Sequence, residues 1–500
     1  MENPANRPPE HLPETIQRIL NFWIQRAALM VVVFSSTIVL GISTNESNAQ
    51  TWIQRAKNAM GVERAGQKIL HFRAAWADQQ NYQSDRSYPP FFDAISAAEV
   101  WYQPSTGVEH VKQQLTFPGI EQPLENLYDS NRGVMLRGDR AVPLARSQLR
   151  IRNLNPWAVI YDWEHAENVS VEGESVYRDY PRIVLARKTE GGEQRLFLDG
   201  KTGFPVKLDY IEFHYLWGHR HIEYVYSNWV MAGKIEVSAS AFLLADGAVE
   251  ISTTTGTTEL IDATGAPSMA MPAPVSPAND LPAFLQPRQP QVTKVGSGTY
   301  LLTNPGYTEA VTLSGDQLYI FDATQGAERA RLDEEAIAKL FPGKHKINVV
   351  VTDLAWPHIA GVRYWVAQGA TIIAHKAAKP FLETVINRRW TLQPDLLEQR
   401  RATTSLHFQG IEQIYKSPDG AVTLLPIDGI GSEVVLAAYL APDHFLWASD
   451  YIQTVDEPTA YAAEVWNAVQ RAHLQPQQVA AEHLPLTAWK VVDDLNSAAK

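Results

Sequence analysis

The stretch Val349–Val362, VVVTDLAWPHIAGV, constrains the fold of this chain more than any other. The β-branched run Val349–Thr352 predicts a buried strand. A short loop, Asp353–Gly361, follows it. Val362–Gln368 then begins a helix, and Ala370–His375 (ATIIAH) predicts the next strand. The same alternation fills the chain from Val292 onward. Strands are expected at Thr299–Leu302, Ala310–Leu313, Leu318–Phe321, Val422–Pro426, Val434–Leu440, Phe445–Ala448 and Gln478–Glu482. Helices are expected at Asp333–Leu340, Pro380–Asn387, Pro394–Arg401 and Thr459–Ala472.

The preceding half has a different texture. Thr51–Ala77 shows helical spacing, with Ile53, Ala56, Met60, Ile69 and Phe72 in step. After Phe91, short alternating runs recur between turn signals: Glu99–Gln103, Arg182–Ala186, Arg195–Asp199, Pro205–Ile211, Ile222–Asn228 and Phe242–Leu244. RLFLDGKTGFPVKLDY reads as a hairpin whose turn is Asp199–Gly203. These features predict an antiparallel sheet or open barrel with one or two helices packed on it. The pattern resembles the curved half-barrel of periplasmic lipoprotein carriers. Between the halves, residues 265–291 form a Pro-rich linker whose composition favours extended, unpacked chain.

Composition narrows the function. The chain of 500 residues has room for two or three cores, and its net charge of −12 argues against a nucleic-acid partner. It contains no cysteine, so disulfides, thiolate ligands and cysteine nucleophiles are excluded. Any metal must be held by His, Asp, Glu or water. Near the N-terminus, Arg18 and Arg26 precede the apolar run Ala27–Ile42, and Ser47-Asn48-Ala49 follows as a small-x-small pattern. Residues 1–49 are therefore expected to be a signal peptide or an uncleaved membrane anchor. Either reading exports residues 50–500, to the periplasm or the exterior, with membrane contact only through the anchor.

The stretch around His358 resembles the metallo-β-lactamase superfamily, in which this strand ends in H-x-H-x-D-H-x-G-G and runs into a helix followed by "GATIVTHE". Laid on that motif, the ligand block becomes Asp353-Leu354-Ala355-Trp356-Pro357-His358, followed by Ile359-Ala360-Gly361. The last histidine and the last glycine survive. The resemblance covers roughly residues 290–500 and implies an α+β architecture. A C-terminal four-layer αββα sandwich (292–500) would follow a β-rich, half-barrel-like domain (50–264).

The resemblance also implies where two zinc ions would bind. The two leading histidines of the first site fall on Asp353 and Ala355, and its third falls near Gly431. That site keeps at most Asp353, and a single carboxylate does not hold zinc. The second site keeps His358, Asp450 in FLWASDYIQ and His483 in AAEHLPLTAW, but its motif aspartate is Pro357. His375 matches a histidine that is not a ligand. Asp322 matches an acidic residue that orients the metal loop.

Two readings follow. In the first, His358, Asp450 and His483 hold one zinc or another divalent metal, Asp353 is a ligand or general base, and the chain hydrolyses an ester, lactone or amide. In the second, no metal binds, the three residues are ordinary loop and turn groups, and the chain is a scaffold for a small-molecule or envelope ligand. A shared metal requires the three side chains to converge within about 5 Å. A separate histidine group, His214, His219 and His221, is either a further imidazole pair or part of a loop, Trp217-Gly218-His219, that contacts the second domain.

Overall fold

A computed structural model of the protein describes residues 48–498 except 80–85, 89–90, 92–93, 118–119, 139, 190–191, 273–285, 287, 428 and 430–433. The apolar run Ala27–Ile42, Gly431 and most of the Pro-rich linker lie outside the described residues. No helix among the described residues is long and apolar enough to cross a membrane.

Helix α1 (Ala49–Met60) begins at Asn48, whose side chain accepts a hydrogen bond from Gln50 N at 2.8 Å. It buries Trp52, Ile53, Ala56 and Met60, and it ends at Gly61, held at φ +81°. The helical periodicity expected to continue to Ala77 does not. After a single turn, α2 (Val62–Ala65), the chain becomes strand β1 (Ile69–Asp78). Gly61 and Gly66 interrupt the helix, and antiparallel pairing on both edges of β1 then outweighs the helical spacing of Ile69 and Phe72.

Thirteen strands, β1 to β13 (Ala248–Ile261), form one antiparallel sheet. It is built from two meanders that join where β1 pairs with β13. Helix α1 and a later helix, α3 (Pro156–Glu164), cover one face through Trp52, Trp157, Ile160 and Trp163 against Leu185, Leu198 and Tyr224. The hairpin of β9 (Gly192–Asp199) and β10 (Pro205–His214) turns as its sequence requires. Asp199 Oδ1 accepts from Lys201 N at 3.0 Å and Thr202 N at 2.7 Å. The start of the linker does pack, contrary to its composition: Met269 and Met271 lie against Val108, Leu127 and Val134. The two methionines supply the apolar surface that the prolines lack.

The remaining chain builds two further sheets. One contains β14 (Gln291–Lys294), β15 (Thr299–Asn304), β16 (Tyr307–Ser314), β17 (Gln317–Phe321), β18 (Lys346–Val351), β19 (Thr371–His375) and β20 (His407–Ile411), in that order. Pairing is antiparallel up to β17 and parallel from there on. The other contains β21 (Tyr415–Lys416), β22 (Val422–Pro426), β23 (Leu436–Leu440), β24 (Phe445–Trp447), β25 (Gln478–Ala480) and β26 (Thr487–Ala488), with β24 and β25 parallel.

A core containing Phe321, Val350 and Ile373 from the first of these sheets and Leu424, Ala438 and Trp447 from the second lies between them. Helices α4 (Ala327–Leu340), α5 (Val362–Ala367), α6 (Lys379–Asn387) and α7 (Leu396–Arg400) pack on the outer face of the first sheet. Helices α8 (Ala460–Arg471) and α9 (Trp489–Ala498) pack on the outer face of the second. This half is a mixed α+β assembly, and it clusters with the thirteen-stranded sheet in one compact unit, Asn48–Lys500.

Candidate metal centre

Four strand ends meet at one edge of the two sheets. Because β17 and β18 run parallel, as do β24 and β25, the loops after each of these strands can gather there. The loop after β18 carries Asp353 and His358. The backbone of the loop after β17 holds it in place: Ala323 N donates to His358 O at 2.9 Å, and Gln325 N to Pro357 O at 2.8 Å. Gly361 N donates to Ala323 O at 2.7 Å, and a Cβ at Gly361 would lie 3.1 Å from that same oxygen. The surviving motif glycine therefore permits a close backbone approach.

His358, Asp450, Glu482 and His483 each offer a donor atom, and these atoms lie within 4.8 Å of one another. The three residues expected to converge do so, joined by Glu482. His358 is 2% exposed, Glu482 1% and Asp353 6%, so only Asp450 and His483 open the group to solvent. His483 Nδ1 bonds to Gly306 O at 2.6 Å, which leaves Nε2 as its lone-pair nitrogen, 3.4 Å from Asp450 Oδ1. Asp450 also accepts from Gln453 Nε2 at 3.0 Å.

Asp353 is not an open position. Its oxygens lie 3.0 Å from His358 Nδ1, accept from Ala355 N at 2.8 Å, and accept from Ser449 Oγ at 3.0 Å. Glu482 Oε2 lies 2.7 Å from the same His358 nitrogen, yet neither Glu482 oxygen has a well-directed hydrogen bond among the described residues. Asp322, behind the site, accepts from Thr352 N and Thr352 Oγ1 at 2.8 Å and from Trp447 Nε1 at 2.9 Å.

Charge is unbalanced here. Three buried carboxyl groups, Asp322, Asp353 and Glu482, and the partly exposed Asp450 share the region of the His358 imidazole. Burial pushes Asp322 up to about 6 and Asp450 up to about 7, each raised further by the charge of Asp353. Glu482 is driven well above the carboxylate range by the same desolvation. Burial opposes a charge on His358, but Asp353 and Glu482 outweigh it and hold the imidazolium. That cation, with the hydrogen bonds at Asp353, keeps Asp353 ionised in spite of its burial. Burial and the charge of His358 bring His483 down to about 4, so it is neutral at pH 7. An acid-rich pocket with a neutral histidine and an undirected buried carboxyl is chemically suited to a divalent cation.

Glu482 escaped the sequence reading. Its signal was present: an acid at the end of an expected strand, directly before His483. His375 stands apart from the group, its Nδ1 accepting from Ala377 N at 3.3 Å. His219 and His221 form no imidazole pair. His221 joins Asp209 and Glu223 instead, and Lys207 Nζ, 2.6 Å from Asp209 and 3.0 Å from Glu223, already supplies the positive charge that group needs.

No protein-family model and no curated protein matches the chain. The solved structures similar to it are mostly metallo-β-lactamases. One, TMB-1, is 12% identical, with 43% of this chain and 100% of that chain covered at a TM-score of 0.32. The enzyme from Erythrobacter litoralis is 13% identical, with 42% and 97% covered at 0.33. A LolA superfamily protein from Nitrosomonas europaea is also similar, at 13% identity, with 43% and 94% covered at 0.30. Likeness at this level leaves the site to be argued from its own geometry.

Proposed function

We propose that the C-terminal half is an αββα sandwich of the metallo-β-lactamase kind that holds one divalent cation and hydrolyses an ester, lactone or amide. The observation that carries this reading is the donor set of His358, Asp450, Glu482 and His483, with donor atoms within 4.8 Å. Two histidines and two carboxylates suit a single zinc, manganese or iron. Such a metal, when bound, makes water a nucleophile near neutral pH. Asp353 acts on His358, fixing the ring through Nδ1. Gly306 does the same for His483. Pro357 and Ala355 supply no donor, which limits the site to one metal. Export of residues 50–500 belongs to the same proposal and rests on the apolar run Ala27–Ile42.

The test is turnover of a panel of nitrophenyl esters, lactones and anilides by the purified full chain. Hydrolysis abolished by a chelator and by His483→Ala supports the reading. No turnover of any member, together with no bound metal, favours the alternative.

That alternative is a non-catalytic relative that binds an envelope or small-molecule ligand. One observation favours it. A groove of about 940 Å³ crosses the thirteen-stranded sheet over the small residues Ala74, Ala75, Ala97, Ala98 and Gly256.

A further inference from the structure

The tip between β10 and β11 (Gly218–Ala232) reaches out of the thirteen-stranded sheet into the core beside the metal loop. Leu216 is fully buried and Trp217 is 5% exposed, in one cluster with Leu354, Trp356 and Ile359 of that loop. Trp356 lies two residues before His358. The Trp217 ring meets it edge-on at 5.4 Å, and the His214 ring meets it edge-on at 5.3 Å. The Arg220 guanidinium stands 5.8 Å from the Trp356 ring. The tip is itself fixed. His214 Nδ1 accepts from Leu216 N at 3.1 Å and Trp217 N at 3.3 Å. From the other half, Arg388 at the end of α6 donates to the carbonyls of Trp217 and His219 and pairs with Asp246 at 2.8 Å.

The loop Asp353–Gly361 contains a single turn and no regular element, and it lost the ligands that would tie it to a metal at positions 355 and 357. Something else must fix it if His358 is to keep its place. Among the described residues, its backbone bonds beyond itself and α5 reach the β17 loop, and its largest side chain, Trp356, is clamped by residues of the other half.

We propose that Trp217 is a positioning residue for the cation site, acting through Trp356 to hold the His358 loop, so that the N-terminal sheet is a working part of the site. This rests on the cation reading above, and two readouts keep the claims separable. Zinc affinity of the full chain is measured by calorimetry, and amide exchange of residues 353–361 is measured without metal. Trp217→Leu keeps apolar volume but loses the ring contact. It should weaken zinc binding about tenfold and speed exchange in 353–361, with α8 unchanged. Trp217→Phe should lie between it and the wild type. Wild-type exchange in Trp217→Leu overturns the proposal, whatever the zinc result. If the wild type binds no zinc, the cation reading falls and exchange alone decides this one. If Trp217→Leu does not fold, Trp217→Phe decides, and wild-type values in both readouts overturn it.

Discussion

Glu482 places a carboxylate oxygen 2.7 Å from His358 Nδ1, the same nitrogen that Asp353 holds at 3.0 Å. Two acids thus compete for one imidazole, and Glu482 has the poorer geometry. Burial drives its carboxyl well above the usual carboxylate range. Glu482→Gln keeps the shape of the side chain and copies the neutral form that burial favours. It should change the melting temperature by less than about 3 °C. Divalent-cation affinity should fall at least about tenfold, since an amide oxygen is a weaker ligand than a carboxylate. Thermal melting and calorimetric titration check the two halves of this prediction.

Asp322 supports the site from behind. It accepts from the backbone and hydroxyl of Thr352 and from the Trp447 indole, all buried. Asp322→Ala leaves those donors unsatisfied and opens a cavity. Stability should drop by about 3 kcal/mol in urea unfolding. Asp322→Asn, which keeps one acceptor, should lose about half of that.

A pH effect should arise far from the metal centre. Glu109 is 2% exposed and accepts from Asn155 Nδ2 at 2.6 Å. Burial raises its pKa from 4.5 to about 7, against the pull of Arg152. A carboxyl raised in the folded state costs nothing below its unfolded pKa, and the cost grows as pH climbs from about 4.5 to 7. At pH 8 the full cost is on the order of 3 kcal/mol. Glu109→Gln removes the titration. The melting temperatures of the two proteins should diverge as pH rises from 5 to 8, with the variant more stable at pH 8. Parallel curves would rule out Glu109 as the source.

Much of the C-terminal half was legible because its strands are β-branched runs closed by short loops. VVVT and ATIIAH became β18 and β19, and Gly361 marked the start of α5. His358, Asp450 and His483 could be named because the resemblance to the metallo-β-lactamase superfamily implies ligands at the ends of these readable strands. Glu482 could not, because facing inward at a strand end depends on the local twist, which one residue does not reveal. Ile69 and Phe72 misled because their spacing fits either period, and only pairing with the strand Ala94–Gln103 and with β13 decides it. The clamp on Trp356 was half visible. The sequence suggested that Trp217 touches the other half, but which residue it would meet depends on tertiary packing.

The central claim is that four donors on three neighbouring strand ends, those of β18, β24 and β25, make a site for one cation. Elemental analysis of the purified full chain, after equilibration with zinc, manganese or iron and removal of excess, tests it most directly. The account predicts close to one metal per chain, lost in His358→Ala and in His483→Ala. Less than about a tenth of a metal per chain with every ion would contradict it, since such a four-donor site binds well below micromolar free metal.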